Sequence, residues 1–120
     1  MRKLLLLPLA LGLAAAVVPA ADAAPGKTHV VELIGDEFKP EVIHIKAGDS
    51  VKWVFRGPGL GRVRKGLTPP QPCRYLGGPD SGLKRPGQTY RLRFPETTLF
   101  VYHSTVDDRC RAAGQVHVDD

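Results

Sequence analysis

Apolar positions fall into two patterns along the chain. The first is a continuous run, Leu4 to Val18, interrupted only by Pro8 and Gly12 and preceded by Arg2 and Lys3. Beyond Pro25 the runs become short, and apolar and polar residues alternate. His29 to Ile34, Val42 to Lys46, Ser50 to Phe55, Gln88 to Phe94, Leu99 to Ser104 and Gln115 to Val118 all follow this rule. A period of two is the signature of a strand with one dry face. Val51 and Trp53 share a face, and Tyr90, Leu92 and Phe94 oppose Thr89, Arg91 and Arg93. No stretch carries a 3.6-residue apolar period. Ala47-Gly48-Asp49 reads as a turn, and Arg56 to Arg85 as a long irregular stretch rich in Gly and Pro, of the kind that is functional or stapled down. Strands with one dry face must pack against a second sheet. The pattern therefore predicts an all-β Greek-key sandwich of about 7–8 strands.

The N-terminal run reads differently. It spans about 15 residues, short of the roughly 20 needed to cross a bilayer, and ends at Ala21-Asp22-Ala23 and Ala24, an A-x-A cleavage site. Residues 1–24 are read as a signal peptide, removed on export, in preference to a retained anchor. That leaves one domain at 25–120, periplasmic or secreted, without contact to the membrane. No cysteine near the cleavage site offers a point of lipid attachment.

Charge and cysteines refine this. Cleavage removes Arg2, Lys3 and Asp22, so Lys+Arg falls from 17 to 15 and Asp+Glu from 12 to 11, and the net charge from +5 to +4. The densest basic group is Arg56, Arg62, Arg64, Lys65 and Arg74. It lacks interleaved aromatics, so a nucleic-acid groove is not expected; a solvated loop or a docking face for an acidic protein partner in the periplasm is. The domain is read as a monomer. The two cysteines, Cys73 and Cys110, form an even pair in an oxidising compartment and read as a disulfide. A thiolate metal ligand is the rival role.

The order of landmarks resembles the cupredoxins, the plastocyanin and halocyanin group of small blue copper proteins. Phe38-Lys39-Pro40, Ile43, Ile45 and Gly48-Asp49-Ser50-Val51-Lys52-Trp53 are similar to the N-terminal half of that family. Asp80-Ser81-Gly82-Leu83, Pro86-Gly87-Gln88-Thr89-Tyr90 and Phe94 are similar to the approach to its copper loop. Phe100-Val101-Tyr102-His103-Ser104 and Gly114-Gln115-Val116-His117-Val118 are similar to its final hairpin. The resemblance covers nearly all of the domain and implies a cupredoxin-type sandwich, with copper and electron transfer as the inherited function. It also favours Cys73–Cys110 as a structural bridge, because copper-binding relatives can carry an extra cysteine at this point of the loop.

A type-1 copper site needs two imidazoles, a thiolate and a weak axial thioether. The resemblance places the thiolate at Ser104, an imidazole at Asp107 and the thioether at Ala112, and the second imidazole between Arg56 and Gly66, a stretch without histidine. All four positions are vacated, so no cofactor is predicted, with copper as the alternative. Strand parity directs Phe100, Tyr102 and Ser104 inward and His44, His103 and His117 outward, with His29 partly covered. The three outward histidines offer an alternative surface Cu(II) or Zn(II) site if their strands are neighbours; otherwise they are solvated. Asp80, Asp107 and Asp108 suggest calcium ligands or an acid/base pair, but no nucleophile or oxyanion hole accompanies them, and His103 and Ser104 point apart. The expectation is not an enzyme but an exported binding module on a cupredoxin scaffold. The alternatives are a copper electron carrier and metal handling through surface histidines.

Overall fold

A computed structural model describes residues 26–120; the segment read as a signal peptide, with its cleavage site, lies outside the described residues. Within them the chain forms nine strands and no helix: β1 (Thr28–Ile34), β2 (Glu37–Lys39), β3 (Val42–Lys46), β4 (Ser50–Gly57), β5 (Arg64–Leu67), β6 (Arg74–Asp80), β7 (Thr89–Arg93), β8 (Thr98–Val106) and β9 (Arg109–Asp119). They build two sheets, a four-stranded one ordered β2-β1-β4-β7 and a five-stranded one ordered β3-β9-β8-β5-β6. Most neighbours run antiparallel. The pairs β1/β4 and β3/β9 are parallel, because the chain crosses between the sheets to reach them.

The alternation read from the sequence is what closes the sandwich. Val31 and Leu33 of β1 and Val51, Trp53 and Phe55 of β4 face Phe100 and Tyr102 of β8 and Val116 and Val118 of β9, all buried. Aromatic rings dominate this layer. The Trp53 ring lies 5.3 Å from that of Tyr102, edge-on, and Phe38 meets Tyr102 at 4.8 Å. Such pairs add about 0.5–1.5 kcal/mol each beyond the area they bury. The large Tyr102 ring fits because position 114 has no side chain: a Cβ on Gly114 would collide with Tyr102 Oη.

Asp49 fixes the turn between β3 and β4. Its amide donates to the Lys46 carbonyl at 2.9 Å, and its carboxylate accepts the amides of Lys46 (3.1 Å) and Lys27 (2.9 Å). Gly48 beside it has φ 100°, a conformation that favours glycine.

Two expectations change. The stretch from Arg56 to Arg85 is not irregular throughout, since it contributes β5 and β6. Strand β6, Arg-Tyr-Leu-Gly-Gly-Pro-Asp, lacks clean alternation because Gly77 and Gly78 bend it at φ 89° and 93°. Its place comes instead from backbone pairing with β5, with a register shift between Arg64 and Gly66. Strand β9 also begins at Arg109, not near Gln115, so the residues expected to form a loop before Gly114 are paired strand. Among the described residues no helix is long and apolar enough to cross a membrane.

Candidate functional site

Strands β8 and β9 carry the positions that matter most. Their ladder continues without a loop through Ser104↔Ala112 and Thr105↔Cys110 to Val106↔Arg109, with one irregularity between Ser104 and Thr105. Only Asp107 and Asp108 remain to turn the chain, at φ 52° and 61°. Two central residues with positive φ match the twist of a tight hairpin, and Asp tolerates that conformation better than most side chains. Asp107 is therefore an exposed turn residue.

Ser104 is buried and engaged. Its hydroxyl oxygen accepts the Arg62 amide at 3.1 Å, and Ala112 packs opposite it across the ladder. Gly61, just before Arg62, is closed as well: a Cβ there would come within 2.5 Å of Leu33 Cδ2 and 2.8 Å of Phe55 Cδ1. A hydroxyl already used as an acceptor, a methyl group, a turn carboxylate and a glycine against the core do not fit the donor set of a blue copper ion. The cysteines supply no thiolate, since Cys73 and Cys110 are bonded to each other. This bridge ties the start of β6 to the start of β9, in agreement with the disulfide reading.

His103 departs from expectation. Parity does direct it away from the core, yet it is buried, with only 1% of its surface exposed. The ring leans across the neighbouring strands of the same sheet, against the backbone of the β5–β6 hairpin. Gly66 approaches so closely that an added Cβ would stand 3.0 Å from His103 Nε2 and would collide with the Arg74 carbonyl. Nδ1 shares a hydrogen bond of 2.7 Å with Thr105 Oγ1, whereas Nε2 has no partner in hydrogen-bonding geometry. Burial pushes the imidazole below the ordinary histidine range, and the Arg64 and Arg62 charges add to this against the opposing pull of the Arg74 carbonyl and Asp80.

The basic group is divided. Arg62 Nε and Arg64 Nε donate to the two oxygens of Asp80 at 3.1 and 3.0 Å, and Arg64 also lies 4.5 Å over the Tyr75 ring. Burial pulls the Asp80 carboxyl up, but the Gly82 amide, the Arg64 bond and both arginine charges outweigh it and hold the group below its ordinary value. Arg56 stands on the other sheet, paired with Glu32 at 2.7 Å. Lys65 and Arg74 are exposed. Asp80 is thus an ion-pair partner, away from the turn carrying Asp107 and Asp108.

The other histidines do come together. In the β3/β9 pairing His44 stands directly opposite His117, and their rings lie 4.6 Å apart at an interplanar angle of 31°. His117 Nε2 bonds Gln115 Oε1 at 2.9 Å, and His44 Nδ1 lies 3.7 Å from Asp119 Oδ2. His103 takes no part, pairing instead with Ala113. Around the corner His29 Nε2 bonds Asp49 Oδ2 at 2.9 Å, and both line a cleft of about 360 Å³ together with His44 and Asp119. The His29 bond, then the Lys27 and Lys46 amides, lower the Asp49 carboxyl to about 2. Among the described residues no three His, Cys, Asp or Glu side chains converge on one point. The roles of Asp49, Gln115 and Asp119 were not foreseen. That Gln115, His117 and Asp119 share one face was legible from parity, but the strand beside them was not.

No protein-family model matches the chain, and no curated protein resembles it in sequence. Solved structures do resemble it. A reduced variant of amicyanin superposes with a TM-score of 0.59 at 26% identity, over 82% of this chain and 88% of that one. A second amicyanin variant, in its reduced Cu(I) form at pH 4, gives 0.62 at 23% identity with the same coverage. The Cu-containing nitrite reductase from Thermus scotoductus SA-01 gives 0.61 at 21% identity, over 94% of this chain but 25% of the reductase. Two packed sheets, the aromatic layer around Trp53 and Tyr102, the closing β8–β9 hairpin and these superpositions agree that the chain has a cupredoxin-like fold.

Proposed function

We propose that this is an exported binding module: a cupredoxin-like domain that carries no type-1 copper, catalyses no reaction and contacts a protein partner in the periplasm. The observation that carries the reading is the β8–β9 hairpin, paired across the segment that would hold the ligands, with Ser104 Oγ accepting the Arg62 amide opposite Ala112. The amicyanin variants lend the scaffold, and one of them holds Cu(I). This chain keeps the scaffold and replaces the donors. Within the basic group, Lys65 and Arg74 are the cations left to meet an acidic partner, since Arg62 and Arg64 are shared with Asp80 and Arg56 with Glu32.

Purified protein given Cu(II) is expected to show no intense thiolate-to-copper charge-transfer band, and a thiol assay on unreduced, denatured protein is expected to find no free cysteine. An intense blue colour would overturn the reading and restore the copper carrier.

A further inference from the structure

The pairing of β3 with β9 does more than close the sheet edge. It sets two imidazoles side by side on the outer surface, held from below by a hydrogen-bonded backbone ladder, with a carboxylate and a carboxamide beside them. We infer that His44, His117 and Asp119 form a surface binding site for a divalent transition-metal ion of the Cu(II) or Zn(II) type, separate from the vacated blue copper positions.

Four observations support it. The first is register: His44 and His117 are direct partners on parallel strands, so their Cα atoms sit at the interstrand spacing, and the rings lie 4.6 Å apart. Two imidazole nitrogens bound to one ion at metal–nitrogen distances near 2.0–2.1 Å stand roughly 3 Å apart, within reach of small χ rotations from this stack. The second is ligand chemistry. Imidazole suits Cu and Zn, and with a carboxylate and water it completes a nitrogen–oxygen set typical of Cu(II).

The third is orientation of the rings. Gln115 Oε1 can only accept, so the 2.9 Å contact makes His117 Nε2 the protonated nitrogen and leaves Nδ1 with its lone pair. Metal-bound histidines almost always hand their second ring N–H to such a partner. Asp119 Oδ2, 3.7 Å from His44 Nδ1, is already near the pair. No third ligand yet converges on a common point, and the exposed Asp119 side chain closes the set by rotating inward. The fourth is access. His44 and Asp119 are each about two-thirds exposed, at 65% and 64% of the side chain, so an ion reaches them without any opening of the fold.

His29 lies in the adjoining cleft but is committed through Nε2 to Asp49, and that carboxylate is filled by the Lys27 and Lys46 amides. His103 is buried elsewhere. Both serve as internal controls.

The test is calorimetric titration of untagged protein with CuCl2 and with ZnCl2 in a non-coordinating buffer, paired with electron paramagnetic resonance of the Cu(II) form. One equivalent of Cu(II) is expected to bind more tightly than Zn(II), with superhyperfine structure from two imidazole nitrogens and no blue band. His44→Ala and His117→Ala should each abolish tight one-to-one binding, and any Cu(II) still held at high protein concentration should couple to one nitrogen instead of two. Gln115→Ala and Asp119→Asn should weaken binding by about tenfold to a hundredfold. His29→Ala should leave it unchanged. His44 and Asp119 are exposed and Gln115 and His117 half-buried, so thermal melts of these four metal-free variants should stay close to the parent, whereas His29→Ala gives up the Asp49 bond and serves as a control for binding alone. Full-affinity binding in His117→Ala, binding lost only in His29→Ala, or no stoichiometric binding by the parent protein would each overturn the assignment. A blue band would instead strike at the proposed function, so the two failures are told apart.

Discussion

The unusual residue of this domain is His103, a buried titratable ring that leans from β8 against the β5–β6 hairpin beside it, with the Arg74 carbonyl near the ring but no partner of Nε2 in hydrogen-bonding geometry. Its folded-state value lies below the ordinary histidine value near 6.5, chiefly through burial. The unfolded chain therefore binds a proton that the folded chain refuses. Stability from this group is complete above that ordinary value and is lost as pH falls through it toward the lower folded value. Urea midpoints measured from about pH 7.5 down to about pH 5 should fall, and His103→Gln should flatten the slope over that window. An unchanged slope in the variant would assign the acid sensitivity elsewhere. A second residue-scale expectation concerns Gly114. An added methyl meets Tyr102 Oη, and the ring is locked among Phe38, Trp53 and Phe100, so Gly114→Ala should cost about 1–3 kcal/mol by overpacking in a chemical unfolding series. Parity alone placed the ring of Tyr102 correctly. It also gave the direction of His103, but whether that outer face met water or another strand depended on pairing between β5 and β8, which no local pattern encodes.

At the scale of elements, the β8–β9 hairpin and the disulfide explain each other. A ladder that runs down to Val106↔Arg109 brings Cys110 to the sheet, and Cys73 meets it from the start of β6. With the cysteines 37 positions apart in sequence, the chain-entropy model assigns the bridge about 4 kcal/mol. Cys73→Ser with Cys110→Ser should lower stability by about that amount. Amide exchange should then accelerate first in β5 and β6, whose own pairing is short and broken by a register shift. Uniform acceleration across both sheets would argue that the bridge supports the whole sandwich. The same hairpin bears on the proposed absence of type-1 copper. Ser104→Cys combined with Asp107→His and Ala112→Met should not restore blue copper, because Asp107 sits in a two-residue turn and the histidine-free segment before Gly66 is unchanged. Strands β1, β3, β4, β7 and β8 were legible because each alternates over a core face. β5 and β6 were not, since Gly66, Gly77, Gly78 and Pro79 blur alternation and pairing alone defines them.

For the molecule as a whole, one carboxylate joins the two sheets where β1 and the β3–β4 turn meet. Asp49 accepts from the Lys27 and Lys46 amides and from His29 Nε2, so it ties the start of β1, in the four-stranded sheet, to the end of β3, in the five-stranded one. Its folded value is lowered from 3.8 to about 2, first by the His29 bond and then by the two amides. Here the folded chain is the weaker proton binder, so the stabilisation is complete above the unfolded value of 3.8 and disappears as pH falls through about 2. The stability of the parent should accordingly fall with pH in two separate windows, one set by His103 near the histidine range and a lower one set by Asp49. Asp49→Asn should remove only the lower window, with stability at neutral pH reduced because one acceptor oxygen becomes a donor facing an amide or an imidazole. His29→Gln should shrink the lower window without removing it, because the two backbone amides remain. Urea midpoints followed at each pH through Trp53, buried in the core between the sheets, report both windows. A single window, left unchanged in both variants, would mean that the junction at Asp49 is not an independent acid-sensitive tie, and that the sandwich yields to acid through His103 alone.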